Sequence, residues 1–161
     1  MNENVEFRKI IKTDNNAVSA VIKSVLTELK ANIKGTAFYD KETDAMFEAY
    51  QNINAVYYVA LLNNEIIGGC GINQLNGEKE SICELQKMYI LPKARGLKIG
   101  KTLLKMCLNF ATNHYKVCYL ETFPQMKNAL NLYQQNGFEL INHSLGNTAH
   151  TACNVWLLKN L

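Results

Sequence analysis

Apolar residues never run unbroken for longer than positions 55–62, far short of the ~20 needed to cross a bilayer, which argues against a membrane protein. No composition shift or Pro/Ser-rich linker divides the 161 residues, so a single domain over 1–161 with a sizeable core is expected. The opening segment MNENVEFRKI lacks the basic start and apolar stretch of an export signal, and the cytoplasm is the expected compartment. Signals of cysteine pairing are missing too. The five cysteines are odd in number, show no CxxC spacing and sit mostly in apolar segments, which suits reduced, buried thiols. His114 and His143 fall in turn-like stretches without metal-ligand spacing, and no metal is expected. Basic residues are not interleaved with aromatics and the net charge is only +3, so nucleic acid is not an expected partner. No internal repeat or low-complexity tract is visible.

What is present is an uneven distribution of charge. Residues 1–86 carry 8 basic and 12 acidic side chains, whereas 87–161 carry 9 basic and 2 acidic. Six of those cations (Lys87, Lys93, Arg95, Lys98, Lys101, Lys105) lie in a stretch without any acid, an arrangement that concentrates an anionic ligand or forms a solvated basic face. Within it stands ARGLKIGKTLL, a glycine loop that opens a helix. A nucleotide-triphosphate loop needs four residues between its first glycine and Gly-Lys-Ser/Thr. Here only Leu97, Lys98 and Ile99 separate Gly96 from Gly100, one too few, so ATP and a small kinase are the weaker reading.

The helix start supplies unpaired N–H groups and a partial positive charge, which favour a bound diphosphate, and glycines allow close backbone approach. Around this loop the pattern alternates strands and helices. A first strand is expected at 5–11, then a helix capped by Thr13 or Asp14 with Val18, Val21, Ile22, Val25, Leu26 and Leu29 on one stripe. A shorter helix is expected at 44–51. AVYYVALLNNEIIGGCGI has the form of a hairpin turning at Asn63-Asn64. The fourth strand, 81–91, stops at Pro92, and the loop helix buries Leu103, Leu104, Cys107, Leu108 and Ala111. VCYLET makes the fifth strand. Pro124 suits the start of a helix lined by Met126, Leu130 and Tyr133 and stopped at Asn136-Gly137, and FELI and CNVWLLK complete the sheet. The fourth strand, loop, helix and fifth strand form a crossover unit, so these two strands should be parallel.

MYILPKARGLKIGKTLL resembles the acyl-CoA-binding motif of the GNAT family of N-acetyltransferases, in which an apolar strand and Pro precede R/QxxGxG/A at a helix start. NALNLYQQNGF is similar to the family's second signature, on Asn128, Ala129, Leu132, Tyr133, Gly137 and Phe138. The order of elements fits over essentially the whole chain. One position departs: the middle glycine of the motif is Lys98, whose Cβ would loosen the fit while its N–H and ammonium remain available.

The resemblance implies an α/β fold with a single domain, a mixed and mostly antiparallel sheet, a central parallel pair formed by the fourth and fifth strands, and flanking helices. It implies acetyl-CoA as acyl donor and transfer to an amine of a small molecule or peptide by direct attack on the thioester. A homodimer is compatible with it. The cofactor-binding residues it implies are Met88, Tyr89, Ile90, Arg95, Gly96, Leu97, Lys98, Ile99, Gly100, Lys101 and Asn128. A backbone N–H near 88–90 would stabilise the thioester oxygen. Glu84 matches the family's general-base glutamate, or is a surface carboxylate or a partner for Lys87. Tyr133 matches the tyrosine that protonates the departing thiolate, or is a helix-packing aromatic. For the acceptor pocket the likeness points only loosely, to Tyr39, Tyr50, Glu121 and His150. A CoA-binding sensor of the same fold, without catalysis, is the remaining alternative.

Overall fold

A computed structural model describes residues 4–161. Seven strands form one sheet: β1 (Val5–Lys9), β2 (Val56–Leu62), β3 (Glu65–Gln74), β4 (Ile82–Ile90), β5 (Val117–Thr122), β6 (Glu139–Ile141) and β7 (Val155–Asn160), in the spatial order β1-β2-β3-β4-β5-β7-β6. Every neighbouring pair is antiparallel except β4 with β5, as expected for a strand–helix–strand crossover. The helices are α1 (Asn15–Glu28), α2 (Met46–Ala49), α3 (Ile99–Thr112) and α4 (Lys127–Gln135). Among the described residues no helix is long and apolar enough to cross a membrane.

The sheet separates two cores. On one face α1 buries Val18, Val21, Ile22, Val25 and Leu26 against residues of β2 and β3 such as Val59 and Ile66. On the other, α3 buries Ile99, Leu103, Leu104, Cys107 and Ala111 against Ala60, Ile67 and Ile72. Spacings of three and four residues place each set on one helical stripe. At ~1.5–3 kcal/mol for each large side chain removed from water, these two layers hold the sheet rigid around its centre. Cys70, Cys83, Cys107 and Cys118 are all buried free thiols, and only Cys153 is partly exposed.

Several boundaries differ from the sequence expectation for local reasons. β1 stops at Lys9, because Asp14 accepts a hydrogen bond from the Ile11 N–H at 2.8 Å and draws the chain into a short 3-10 turn, Lys12–Asp14. The expected 44–51 helix is a single α turn after the 3-10 turn Lys41–Asp44. α4 begins at Lys127, not at Pro124, and buries only Tyr133 fully. The Asn63-Asn64 turn does adopt positive φ at both residues (51° and 66°), and Gly137 stops α4 at φ 87°.

Two irregularities in β4 position the site. Its parallel pairing with β5 covers only Ile82↔Val117, Cys83↔Cys118 and Glu84↔Tyr119. Beyond Glu84 the strands part: β4 stays with β3 while β5 follows β7, and a gap opens in the sheet. The second irregularity is a bulge. Gly69 pairs with Tyr89 and Gly71 with Gln86, so Cys70 faces both Lys87 and Met88, and Lys87 takes φ 50°. The Tyr57 hydroxyl donates to the Lys87 carbonyl at 2.8 Å and pins the bulge. Tyr57 reaches it by lying across β3 where side chains are missing: a β-carbon on Gly69 or Gly71 would come within 2.6 Å of its ring.

Candidate active site

The loop at 95–98 and the first turn of α3 form one end of a groove of ≈ 700 Å³ between α3 and α4. Gly96 has φ 86° and open space where a side chain would be. Lys98 sits at the helix N-cap with φ 60°, a left-handed conformation that glycine adopts without cost, so the departure from the motif introduces backbone strain at this point. Gly100 faces the groove floor, where an added β-carbon would lie 3.1 Å from Met88 and 3.2 Å from Ile90. Arg95, Lys98 and Lys101 line the groove, as do Ile99, Met88, Ile90 and Asn128. The Arg95 guanidinium is held by both carboxylate oxygens of Glu28 at 2.7 Å, which ties α1 to the loop. Leu97 is exposed, and Tyr89 belongs to the opposite side of β4.

Where β4 and β5 part, a narrow chamber of ≈ 40 Å³ penetrates the sheet. It shares Met88 and Met126 with the groove, so the two cavities meet there. Tyr133 stands at that junction, 5% exposed, its hydroxyl 3.6 Å from the Met88 sulfur. Burial pushes its pKa well above that of a free phenol, so it carries its proton at neutral pH.

Glu84 lies at the last paired position of β4, on the chamber wall. It is not a surface carboxylate, being 4% exposed, nor the partner of Lys87. Burial pushes its pKa up to about 7; the Gln86 amide, donating to Oε2 at 2.6 Å, and the charges of His150 and Lys87 pull the other way. The Tyr50 hydroxyl donates to Gln86 Oε1 at 2.7 Å and fixes the amide's orientation. Lys87, with its side chain 2% exposed, pairs instead with Asp40 at 3.4 Å and Glu42 at 3.3 Å. Tyr39 is 60% exposed and outside the chamber.

Two further groups arrive from elsewhere. Glu121 accepts from the Tyr119 hydroxyl at 2.7 Å and from the Thr148 hydroxyl at 2.8 Å, so both its oxygens are fixed. His150, on the 142–154 connection, binds Asp40 through Nε2 at 2.7 Å. Burial would lower the imidazole pKa, but the hydrogen bond and charge of Asp40 outweigh it and raise the value above the ordinary one. Asp40 is likewise pushed up by burial yet ends below the usual carboxylate range, because His150 and Lys87 favour its anion. Glu84, Glu121 and His150 each offer one ligand atom, all within 4.8 Å of one another, the one grouping of three or more such residues among the described residues with the spacing of a metal site. The family resemblance points to each of the three, Glu84 as base and Glu121 and His150 loosely for the acceptor pocket, but no spacing in the sequence announces that they meet. Asp40, Gln86 and Tyr57 carry no such signal; the only trace of Tyr57 is the glycine-rich stretch of β3 that accommodates it.

Chemically, the arrangement joins a basic helix start with glycines at its approach, a groove, a buried protonated tyrosine and a buried acid whose pKa is pushed up to about 7. Comparison with known proteins supplies the family and the fold. Residues 25–138 match the model of the acetyltransferase (GNAT) family. The chain is 40% identical over 157 residues to YjgM of Escherichia coli K12, described as an uncharacterized N-acetyltransferase, covering 96% of this chain and 93% of that protein. A GNAT-family acetyltransferase from Staphylococcus aureus Mu50 superposes with a TM-score of 0.84 at 21% identity, covering 98% of this chain and 99% of that one. The PaiA N-acetyltransferase of Thermoplasma acidophilum, solved in complex with coenzyme A, gives 0.70 at 20% identity, with 98% and 99% covered.

Proposed function

Because the chain belongs to the GNAT family of N-acetyltransferases and is thus an acyltransferase, we propose that it transfers an acetyl group from acetyl-CoA to a primary amine of a small molecule or peptide. The observation that carries this reading is the junction at Met88 and Met126, where the groove that begins at the α3 glycine loop meets a chamber walled by an acid whose pKa is pushed up to about 7.

In this reading the diphosphate rests on the N–H groups of residues 96–101, where unpaired helix donors and the glycines permit close approach. Lys98 and Lys101 add attraction, whereas Arg95 holds the loop through Glu28. Asn128 and the wall of α4 flank the pantetheine arm. The thioester then lies at the junction, its oxygen facing the stretch of β4 from Met88 to Ile90, which β5 has left unpaired. A fixed N–H there stabilises the negative charge that grows on attack.

An amine arrives mostly protonated, so it must lose a proton before its nitrogen attacks the carbonyl carbon. Glu84 accepts it, directly or through one water, and a pKa near the working pH suits a group that must both take and release a proton. The tetrahedral adduct collapses by breaking the C–S bond; Tyr133 supplies the proton to the departing thiolate, and the second proton shed by the adduct's nitrogen restores the tyrosine through solvent. A role limited to sensing CoA would leave a buried Glu84 beside the junction without purpose.

The test is calorimetric titration with CoA and with ATP, followed by thiol release from acetyl-CoA in the presence of amines. The reading expects CoA heat, no ATP heat and amine-dependent thiol. Binding of ATP alone, or thiol release indifferent to added amine, contradicts it.

A further inference from the structure

The chamber that receives the acceptor is small, and its polar groups are concentrated at one place. Its ≈ 40 Å³ is room for about three water-sized groups, enough for the –CH2–NH3+ end of an amine and little besides. Leu120, Phe123 and Met126 provide apolar walls. Glu84, Glu121 and His150 converge from β4, β5 and the 142–154 connection, with their ligand atoms no more than 4.8 Å apart. Even at the full 4.8 Å separation, a nitrogen at the centre of the triangle lies about 2.8 Å from each corner, within reach of a charge-assisted hydrogen bond to all three. An alkylammonium has three N–H donors to match them.

Resting on the acetyltransferase reading above, we propose that the acceptor is a primary amine on an unbranched carbon, inserted end-on, with its ammonium received by Glu84, Glu121 and His150. Glu121 is the specificity-determining member. Both its oxygens are already held by the Tyr119 and Thr148 hydroxyls, so it cannot swing away and presents a fixed acceptor to the incoming nitrogen. His150 is held through Nε2 by Asp40, so in the neutral imidazole Nδ1 is the ring's remaining acceptor. Glu84 then takes one proton from the ammonium, leaving the neutral amine between Glu121 and His150 and facing the junction. A carbon substituent beside the nitrogen competes with Leu120, Phe123 and Met126 for that small space, so α-branched amines and α-amino acids are disfavoured by shape.

The isomers 1-aminopentane and 2-aminopentane carry the same atoms and separate shape from hydrophobicity. Thiol release should favour the unbranched isomer in kcat/KM by about tenfold or more. Glu121→Gln should raise KM for the unbranched amine about tenfold while calorimetric CoA affinity stays as in the unaltered protein. Met126→Ala, at a partly buried wall of the chamber, should narrow the preference between isomers by enlarging the chamber; this variant carries the test if Glu121→Gln does not fold. Equal or better use of the branched isomer by the unaltered protein overturns the proposal, as does a preference untouched by Met126→Ala or one equivalent of zinc bound through this cluster in the purified protein. Turnover of α-branched amines alone would overturn this inference and leave the transferase reading standing. Absence of CoA heat, or of turnover with every amine, would remove both.

Discussion

Glu84→Gln should make the protein more stable at pH 8 while removing most of its activity. Folding places this carboxyl where burial raises its pKa from the ordinary 4.5 to about 7. The folded chain therefore holds a proton on Glu84 that the unfolded chain has released, and stability falls as pH rises between those two values. At about 1.4 kcal/mol per pH unit, the full cost above pH 7 is of the order of 3 kcal/mol. Glutamine resembles the protonated acid and can still accept the Gln86 N–H through its carbonyl, so it escapes that cost. For a domain of this size the gain corresponds to roughly 6–12 °C in melting temperature at pH 8, shrinking towards zero near pH 4.5. His150 behaves in a related way: its raised pKa contributes stability below 6.5 that is lost as pH rises through the folded value. Both proteins share that change, so comparing them at each pH largely removes it. The assay is paired thermal unfolding from pH 4.5 to 8.5, with thiol release on the same samples. For the unaltered enzyme, kcat/KM should rise with pH through an acid limb near 7, as Glu84 loses its proton to become the base. A Glu84→Gln protein equally stable or less stable at pH 8, or one with full activity, refutes the argument.

Tyr133→Phe should lower kcat about 100-fold and leave CoA affinity nearly unchanged, since only the proton donor is lost; steady-state kinetics with calorimetry checks it, and an unaltered rate removes Tyr133 as the acid. Gly100→Asp should fold, because the tips of Met88 and Ile90 can yield, yet weaken CoA about tenfold or more by setting an anion at the diphosphate site. Unchanged affinity would mean that the ligand sits elsewhere. Lys98→Gly should relieve the left-handed strain at φ 60° and stabilise the chain by about 0.5–1 kcal/mol in urea unfolding; a loss of stability would show that the lysine side chain compensates for its backbone.

The parts of this fold that were legible in the sequence are those written in local patterns. The α1 and α3 stripes, the Asn63-Asn64 turn, the Gly137 stop and the parallel pairing of β4 with β5 all follow from periodicity or turn chemistry, and the structure shows them. The glycine loop and the Tyr133 segment were visible as motifs for the same reason. What was hidden depends on distance along the chain. His150 meets Asp40 across 110 positions, and Glu121 meets Thr148 across 27, contacts with no periodicity to betray them. Arg95 looked like a phosphate ligand in a basic stretch, but Glu28, on a helix far upstream, occupies its guanidinium. Glu84 could equally have lain on the surface, since a carboxylate's burial is decided by the splay of two strands. The order of β6 and β7 was also beyond local reading, because β7 inserts between β5 and β6 against chain order.

The central claim is that the start of α3 holds the diphosphate of a CoA thioester so that its sulfur reaches Tyr133. A crystal structure of the protein with CoA measures this directly. The account predicts the diphosphate on the N–H groups of 96–101, the arm along α4 past Asn128, and the thiol beside Met88 and the Tyr133 hydroxyl. Coenzyme bound anywhere else, or a thiol turned away from Tyr133 and the chamber, would contradict it.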